Sequence, residues 1–152
     1  MADLNKLKPT HLIPEGATAE DLKAQVAATQ AAVTAPEDER KARMRERSYT
    51  FPFTFTDANG KVYEGTFTNV VPDIRTRLSI GTLRAQITGG LDFAALDPLT
   101  RDLALHVAHL TYSLDEKARP TWAANLLGLF NHQLLRALWE EVALHEAMFL
   151  GL

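Results

Sequence analysis

Every second residue between Tyr49 and Phe55 is aromatic, with threonine or proline between the rings. A period of two is typical of a β-strand with one buried face. Because proline has no N–H to give to a neighbouring strand, we expect Pro52 to lie at the edge of a sheet or to face away from the partner strand. An aromatic strand face of this kind must be covered by other apolar elements.

The turn sequence Asp-Ala-Asn-Gly at 57–60 predicts that this strand reverses into a β-hairpin. Gly60 can adopt a positive φ without a steric penalty. The return strand is predicted from Lys61 to about Val70. Since a lone hairpin is only marginally stable in water, we expect its aromatic face to pack on the following helices or on another subunit.

The chain changes character at about Ser48, where a charged, Ala-rich arm (1–47) gives way to a patterned hairpin and helical domain (48–152). Within the arm, the capping sequence at 18–21 predicts a helix that runs to about Val33. Pro36 is expected to interrupt this helix and to begin a second short one, Glu37–Arg47. The arm, partly helical or mobile, is interpreted either as a partner-recognition arm or as a solvated, weakly helical tail.

Apolar periodicity predicts about four helices after the hairpin. They are Ile74–Ile87, a helix capped by Asp97 whose stripe runs from Leu99 to Leu114, a short helix from Pro120 to about Leu129, and Asn131–Phe149. In the last helix we expect Phe149 and Trp139 to face inward and Glu146 to face outward. The predicted fold is therefore α+β and mainly helical: an N-terminal helical or flexible arm, one β-hairpin, then a small helical bundle.

The composition argues against several classes of function. The 152 residues have a formal net charge of −3 and contain no cysteine, so we expect neither nucleic-acid binding nor disulfides and thiolate chemistry. Charged residues interrupt every apolar stretch well before the ~20 residues of a membrane span, and no secretory signal is visible. We expect a protein of the cytoplasm without a nucleic-acid or membrane partner.

Few residues match a catalytic or metal-binding pattern. His106 and His109 are three positions apart, a spacing that can present two imidazoles to one metal, but no acidic residue lies at a matching position nearby. His145 lacks the second histidine of a zinc-protease helix, because Phe149 lies four residues later. The sequence therefore predicts no enzyme activity, no cofactor and no metal.

Aromatic side chains are the better candidates for function, because large rings dominate binding hot spots. Trp122 follows a proline and is interpreted either as packing at a helix entrance or as an exposed contact. The candidate partner-binding residues are Tyr112, Trp122 and Phe130 for a client, and Phe51, Phe53 and Phe55 for self-assembly through the hairpin.

Four segments share a layout with a known family: the run Phe-Pro-Phe-Thr-Phe at 51–55 with its turn, the stretch 96–103, the link from Leu110 to Trp122, and the closing helix 138–149. With these segments, residues 50–152 resemble the tail assembly chaperones of long-tailed bacteriophages. The resemblance implies a non-enzymatic protein of the host cytoplasm that binds the tape measure protein and helps recruit tail tube subunits. It also implies an apolar groove that covers amphipathic helices of the client.

Two other functions remain open. The sequence also fits a structural virion protein, such as a tail completion, connector or other minor tail subunit, whose arm contacts its neighbours. It also fits a small cytoplasmic protein-binding or regulatory module. Pairing of exposed hairpin edges between subunits would produce a homo-oligomer.

Overall fold

The computed structural model describes residues 18–152; the first 17 residues of the predicted arm lie outside this range. The elements are α1 (Ala19–Met44), β1 (Ser48–Thr56), β2 (Val62–Val70), α2 (Ile74–Ile87), α3 (Pro98–Ser113) and α4 (His132–Leu150). Between them the described chain forms short 3-10 turns at Phe93–Ala95, Glu116–Ala118, Thr121–Ala123 and Leu126–Gly128. The protein is thus α+β and mainly helical, as predicted.

α1 is one helix where the sequence predicted two. It begins with a reciprocal cap, in which the Thr18 hydroxyl accepts from the N–H of Asp21 and the Asp21 carboxylate accepts from the N–H of Thr18. Pro36 lies inside the helix and does not end it. The alanine-rich sequence before this proline and the charged sequence after it both favour helix, and this outweighs the one hydrogen bond that proline removes. By its internal contacts the chain falls into two compact units, and the boundary between them lies between Arg40 and Lys41.

The predicted hairpin is confirmed. β1 and β2 pair antiparallel, with Ser48 opposite Val70 and Thr56 opposite Val62. At the tip, the Asp57 carboxylate accepts from the N–H groups of Asn59 and Lys61, both at 2.9 Å. Gly60 adopts a φ of +81°, which explains why glycine ends the turn.

The aromatic face of the hairpin forms one side of the core of Lys41–Leu152. Phe67 is 1% exposed, and its ring centroid lies 6.0 Å from that of Phe51, 5.7 Å from that of Phe53 and 5.6 Å from that of Trp122. On the other side, α3 and α4 contribute buried aliphatic residues, among them Leu110, Leu138 and Val142. The hairpin is therefore covered by the helices of its own chain.

The predicted helix from Pro120 to Leu129 is wrong, since two 3-10 turns replace it. Asn125 lies between the turns in an extended conformation (φ −125°, ψ 101°), which breaks the helical path. Burial explains this path, because Ala123 and Leu126 both enter the core. In a short segment without a periodic apolar face, burial of these two side chains stabilises the chain more than a continuous helix would.

α2 has the predicted bounds, but none of its apolar residues is fully buried, and Ile87 packs against the edge of the core. No residue of α2 is buried. Leu83 and Ile87 are half-buried, whereas Ile74 and Leu78 are 80% and 70% exposed. The helix lies against α3 with one side and presents two large aliphatic side chains to solvent with the other.

α3 and α4 also follow the predicted bounds closely, with one correction to the orientation of α4. Glu146, expected to face outward, is buried, and Phe149, expected to face inward, is 38% exposed. The reason is polar: both His145 and Glu146 have hydrogen-bond partners inside the protein, so the end of α4 turns these residues inward. Trp139 is half-buried at the edge of the core.

Candidate protein-binding surface

An apolar cleft of about 230 Å³ opens between the end of α2, α3, the start of α4 and the turn Leu126–Gly128. We call it the interhelical cleft. Its apolar wall is formed by Ile87, Leu103, Val107, Leu126, Leu129 and Leu135. Thr88, Thr100, Asn131 and His132 supply polar groups to the same cleft. An aliphatic wall with a few polar groups is typical of sites that bind an apolar group in a fixed orientation.

A second and more open cleft of about 520 Å³ lies at the tip of the hairpin. We call it the hairpin cleft. Phe55, Asp57 and Tyr63 line it from the hairpin, and Phe130 lines it from the other side. Asn131 and His132 border both clefts, so the two openings are neighbours.

The segment Leu126–Gln133, which we call the ridge segment, separates the two clefts. Phe130 is 100% exposed and Leu127 is 63% exposed. Asn131 fixes this geometry, because its side-chain oxygen caps α4 by accepting from the N–H groups of Gln133 and Leu134. Burying a fully exposed phenylalanine would contribute about 1.5 to 3 kcal/mol to an interface. The ridge segment thus offers an apolar anchor to a partner.

The six aromatic residues selected from the sequence have different environments. Phe51 and Phe53 are buried in the core, Trp122 and Phe55 are half-buried, Tyr112 is half-exposed on α3, and Phe130 is fully exposed. The structure brings two of them, Phe55 and Phe130, together at the hairpin cleft. It places Tyr112 at neither cleft. The burial of Phe51 and Phe53 removes both rings from the surface, so they cannot mediate self-assembly in this conformation.

Trp122 belongs to the packed aromatic cluster. Its ring lies against Phe53, Tyr63 and Phe67, with centroid separations of 6.1, 5.4 and 5.6 Å. Its indole N–H donates to the carbonyl oxygen of Glu64 at 3.0 Å. Of the two interpretations of Trp122, these contacts favour packing, because the residue joins the hairpin to the segment after α3.

Sequence reasoning missed Leu127 and the aliphatic wall of the interhelical cleft. The available signal was the run Leu-Leu-Gly-Leu-Phe at 126–130, directly before the helix cap Asn131. Five apolar or small residues in a short connection between helices exceed what one turn can bury. Such a run indicates that part of the connection stays exposed.

A polar cluster, buried on α3 and α4 and exposed on α2, joins these three helices of the Lys41–Leu152 unit. The Nε2–H of His109 on α3 donates to Oε1 of Glu146 on α4 at 2.7 Å. Nη2 of Arg77 on α2 lies 3.8 Å from Oε2 of the same carboxylate. Since no residue of α2 is buried, this ion pair is one of the contacts that hold α2 in place.

His145 and His106 have other contacts and do not join the cluster of His109 and Glu146. His145 uses both ring nitrogens, with Nδ1 2.8 Å from the Asn69 amide nitrogen and Nε2 2.7 Å from the carbonyl oxygen of Glu46. His106 stacks on Trp139 with a centroid separation of 4.7 Å, and His109 lies edge-on to the same indole at 5.0 Å. Among the described residues, no three histidine, aspartate or glutamate side chains are grouped as metal ligands.

We expect His106 to make stability depend on pH, with stability lost as pH falls below about 6.5, the ordinary pKa of histidine. Burial against Trp139 lowers the pKa of this imidazole, and the charges of Arg136 and His109 add to the effect while Asp102 and Glu140 oppose it. The unfolded chain therefore binds the proton more readily than the folded protein, and stability falls as pH falls through the unfolded pKa. Urea unfolding of His106→Gln at several pH values should give a flatter profile than wild type.

The cap carboxylates do not interfere with this measurement. Hydrogen bonds from Thr76 and Thr100 lower the pKa values of Asp73 and Asp97, so the stability that these caps contribute is lost only at more acidic pH. If the free energy of unfolding had the same pH dependence near neutrality in wild type and in His106→Gln, the stacked imidazole would not contribute to the pH dependence of stability.

No protein-family model, curated protein or solved structure matches the chain. In the part of the chain that the structure describes, no helix combines the length and the apolar character of a membrane span. The surface combines an exposed ridge segment with an apolar cleft on one side and a more polar cleft on the other.

Proposed function

We propose that this chain is a non-enzymatic tail assembly chaperone of a long-tailed bacteriophage. It binds the tape measure protein in the host cytoplasm and helps recruit tail tube subunits before the tail closes. The observation that supports the proposal is the ridge segment, in which Phe130 is fully exposed beside the interhelical cleft. The layout of residues 50–152, which resembles that family, supplies the identity of the client.

The clefts and the ridge segment suggest how a client helix would be held. One large aliphatic side chain of the client enters the interhelical cleft, and Phe130 packs on a neighbouring residue of the same helix. The Thr88 hydroxyl oxygen and the His132 imidazole, which line the cleft, then bond to polar groups of the client. Apolar client surface covered in this way is no longer available for aggregation.

The proposal predicts that two serine substitutions in the ridge segment weaken client capture at least about tenfold without harming the fold. In Leu127→Ser/Phe130→Ser, both changed side chains are exposed, so the free energy of unfolding should stay within about 0.5 kcal/mol of wild type. The client loses two apolar anchors, and its affinity should fall at least about tenfold. The measurement is the amount of soluble tape measure protein after co-expression with each full-length variant.

A matched control removes apolar surface elsewhere. Val62 and Leu152 are also exposed, at 52% and 90%, and line neither cleft. Val62→Ser/Leu152→Ser should therefore keep the tape measure protein soluble. Equal amounts of soluble client for wild type, the ridge variant and this control would contradict the proposal.

A second candidate function is that of a structural virion protein whose arm contacts its neighbours. The observation that favours it is α1, because every α1 side chain that the structure describes before Met44 is exposed. A helix without a buried face needs a partner to be stabilised by packing. Mass spectrometry of purified particles and infected-cell lysate separates the two: a chaperone is found in the lysate alone, a virion protein in both.

A further inference from the structure

A second exposed surface, separate from the two clefts, lies on the outward side of α2. We call it the outer face of α2 and define it as Ile74, Leu78, Gly81 and Ala85. Spacings of four, three and four residues put these positions on one side of a helix. Ile74 and Leu78 are 80% and 70% exposed, although large aliphatic side chains on a helix ordinarily turn to the core.

Small residues continue this face toward the end of α2. A Cβ added at Gly81 would have no neighbour within 4 Å, so the surface beside Leu78 is open. Ala85 is exposed one turn further on. A partner helix can approach the backbone closely at Gly81 and Ala85 while it packs its own apolar side chains against Ile74 and Leu78.

The charges of α2 are all of one sign. Arg75, Arg77 and Arg84 lie in Ile74–Ile87, and this helix contains no aspartate, glutamate or lysine, within a chain of net charge −3. At 100° per residue, Arg75 falls on one side of the apolar stripe and Arg77 on the other. Two acidic groups face this region: Asp73, which caps α2, and Glu146, which pairs with Arg77.

This pattern selects one kind of occupant. A second copy of α2 would place arginine against arginine, an arrangement that like charges disfavour. The face also contains no aromatic residue and only two large aliphatic ones, too little for a helix that lies in a membrane surface. An apolar stripe flanked by positive charge is complementary to an apolar stripe flanked by negative charge.

We propose that the outer face of α2 binds an acidic amphipathic helix of a partner polypeptide. Leucine or isoleucine side chains of the partner pack on Ile74 and Leu78, and its carboxylates pair with Arg75 and with the exposed part of Arg77. The site is independent of the client surface at the ridge segment. One protein can thus hold a client and a second polypeptide at the same time.

The test uses two synthetic peptides of about five helical turns with leucines at one-face spacing. One peptide has glutamates beside the leucine stripe, and the other has lysines at the same positions. Fluorescence anisotropy with the full chain should show at least about tenfold tighter binding of the glutamate peptide, weakened by added salt. Ile74→Ser/Leu78→Ser and, separately, Arg75→Glu should each reduce this binding about tenfold or more.

The surface variant Val62→Ser/Leu152→Ser, whose residues line neither cleft, is the matched control and should bind the glutamate peptide like wild type. Equal binding of both peptides, or full binding by Ile74→Ser/Leu78→Ser, would overturn the proposal. Two further results would also overturn it. One is binding of the wild-type chain to vesicles of phosphatidylglycerol and phosphatidylcholine that Ile74→Ser/Leu78→Ser abolishes. The other is a dimer in sedimentation equilibrium that Ile74→Ser/Leu78→Ser dissociates.

Discussion

Phe67→Ala should lower the free energy of unfolding by about 3 to 5 kcal/mol. The ring of Phe67 is 1% exposed and contacts Phe51, Phe53 and Trp122, so its removal opens a cavity where the hairpin meets the rest of the core. A loss of this size is a large part of the free energy of unfolding of a typical domain, which is about 5 to 15 kcal/mol. Urea unfolding of the full chain, followed by circular dichroism and tryptophan fluorescence, measures it.

Phe130→Ala provides the matched control, because it deletes the same atoms from a ring that is 100% exposed. Its free energy of unfolding should stay within about 0.5 kcal/mol of wild type. Comparable losses for both alanine variants would contradict the placement of Phe67 in the core and of Phe130 in solvent.

Glu146→Ala should be the second strongly destabilising substitution, with a loss of about 2 to 4 kcal/mol. The carboxylate accepts from His109 and lies 3.8 Å from Arg77, and its removal leaves the buried imidazole without this partner. It also removes an ion pair that holds α2, so α2 should become more accessible. Thermal unfolding together with hydrogen exchange of α2 measures both effects.

Glu140→Ala is the control on the same helix. Glu140 pairs with Arg136 at 3.1 Å, but both side chains are well exposed, so this pair should contribute only about 0.3 to 0.5 kcal/mol. Glu146→Gln keeps a hydrogen-bonding group beside His109 and should be milder than Glu146→Ala. Equal losses in the free energy of unfolding for Glu140→Ala and Glu146→Ala would show that the polar cluster around Glu146 does not hold α2 in place.

The elements that could be predicted from the sequence are those whose signals are local. The alternating rings of 49–55, the turn ending in Gly60 and the helix caps Asp73 and Asp97 each act within a few residues of themselves. Their positions in the structure agree with the predicted hairpin and with the predicted starts of α2 and α3. Local chemistry is sufficient in these cases because no distant contact competes with it.

The wrong predictions concern residues whose environment is set by contacts that are distant in the sequence. Glu146 resembles a solvent-facing residue until His109, which lies 37 positions earlier, is brought beside it by the packing of α3 on α4. The segment 120–129 has enough apolar residues for a helix, yet Ala123 and Leu126 are buried separately. Neither outcome is readable from a window of a few residues.

The candidate surface was predictable in kind but not in detail. Aromatic residues were selected for their size, and size alone does not separate Phe130 from Phe51, one fully exposed and the other 1% exposed. The side of the hairpin that faces the helices decides the burial of Phe51, and the extended path before the cap Asn131 decides the exposure of Phe130. The interhelical cleft exists only once α2, α3 and α4 are assembled.

Together, these features describe a stable aromatic and aliphatic core that presents apolar groups at its surface. The polar cluster of the buried His109 and Glu146 with the exposed Arg77 holds α2, and the end of α2 forms one wall of the interhelical cleft. The outer face of α2 and the ridge segment then offer two separate contacts. Because Leu127, Phe130, Ile74 and Leu78 are exposed, we expect substitutions of these four residues to change binding with little effect on stability.

Hydrogen–deuterium exchange of the full chain, with and without the tape measure protein, tests most directly whether the ridge segment is the client-binding surface. We expect client binding to slow exchange in the ridge segment Leu126–Gln133 and in the adjoining end of α2, and to leave the hairpin core unchanged. Unchanged exchange in Leu126–Gln133 with the client present in excess would contradict the proposed function.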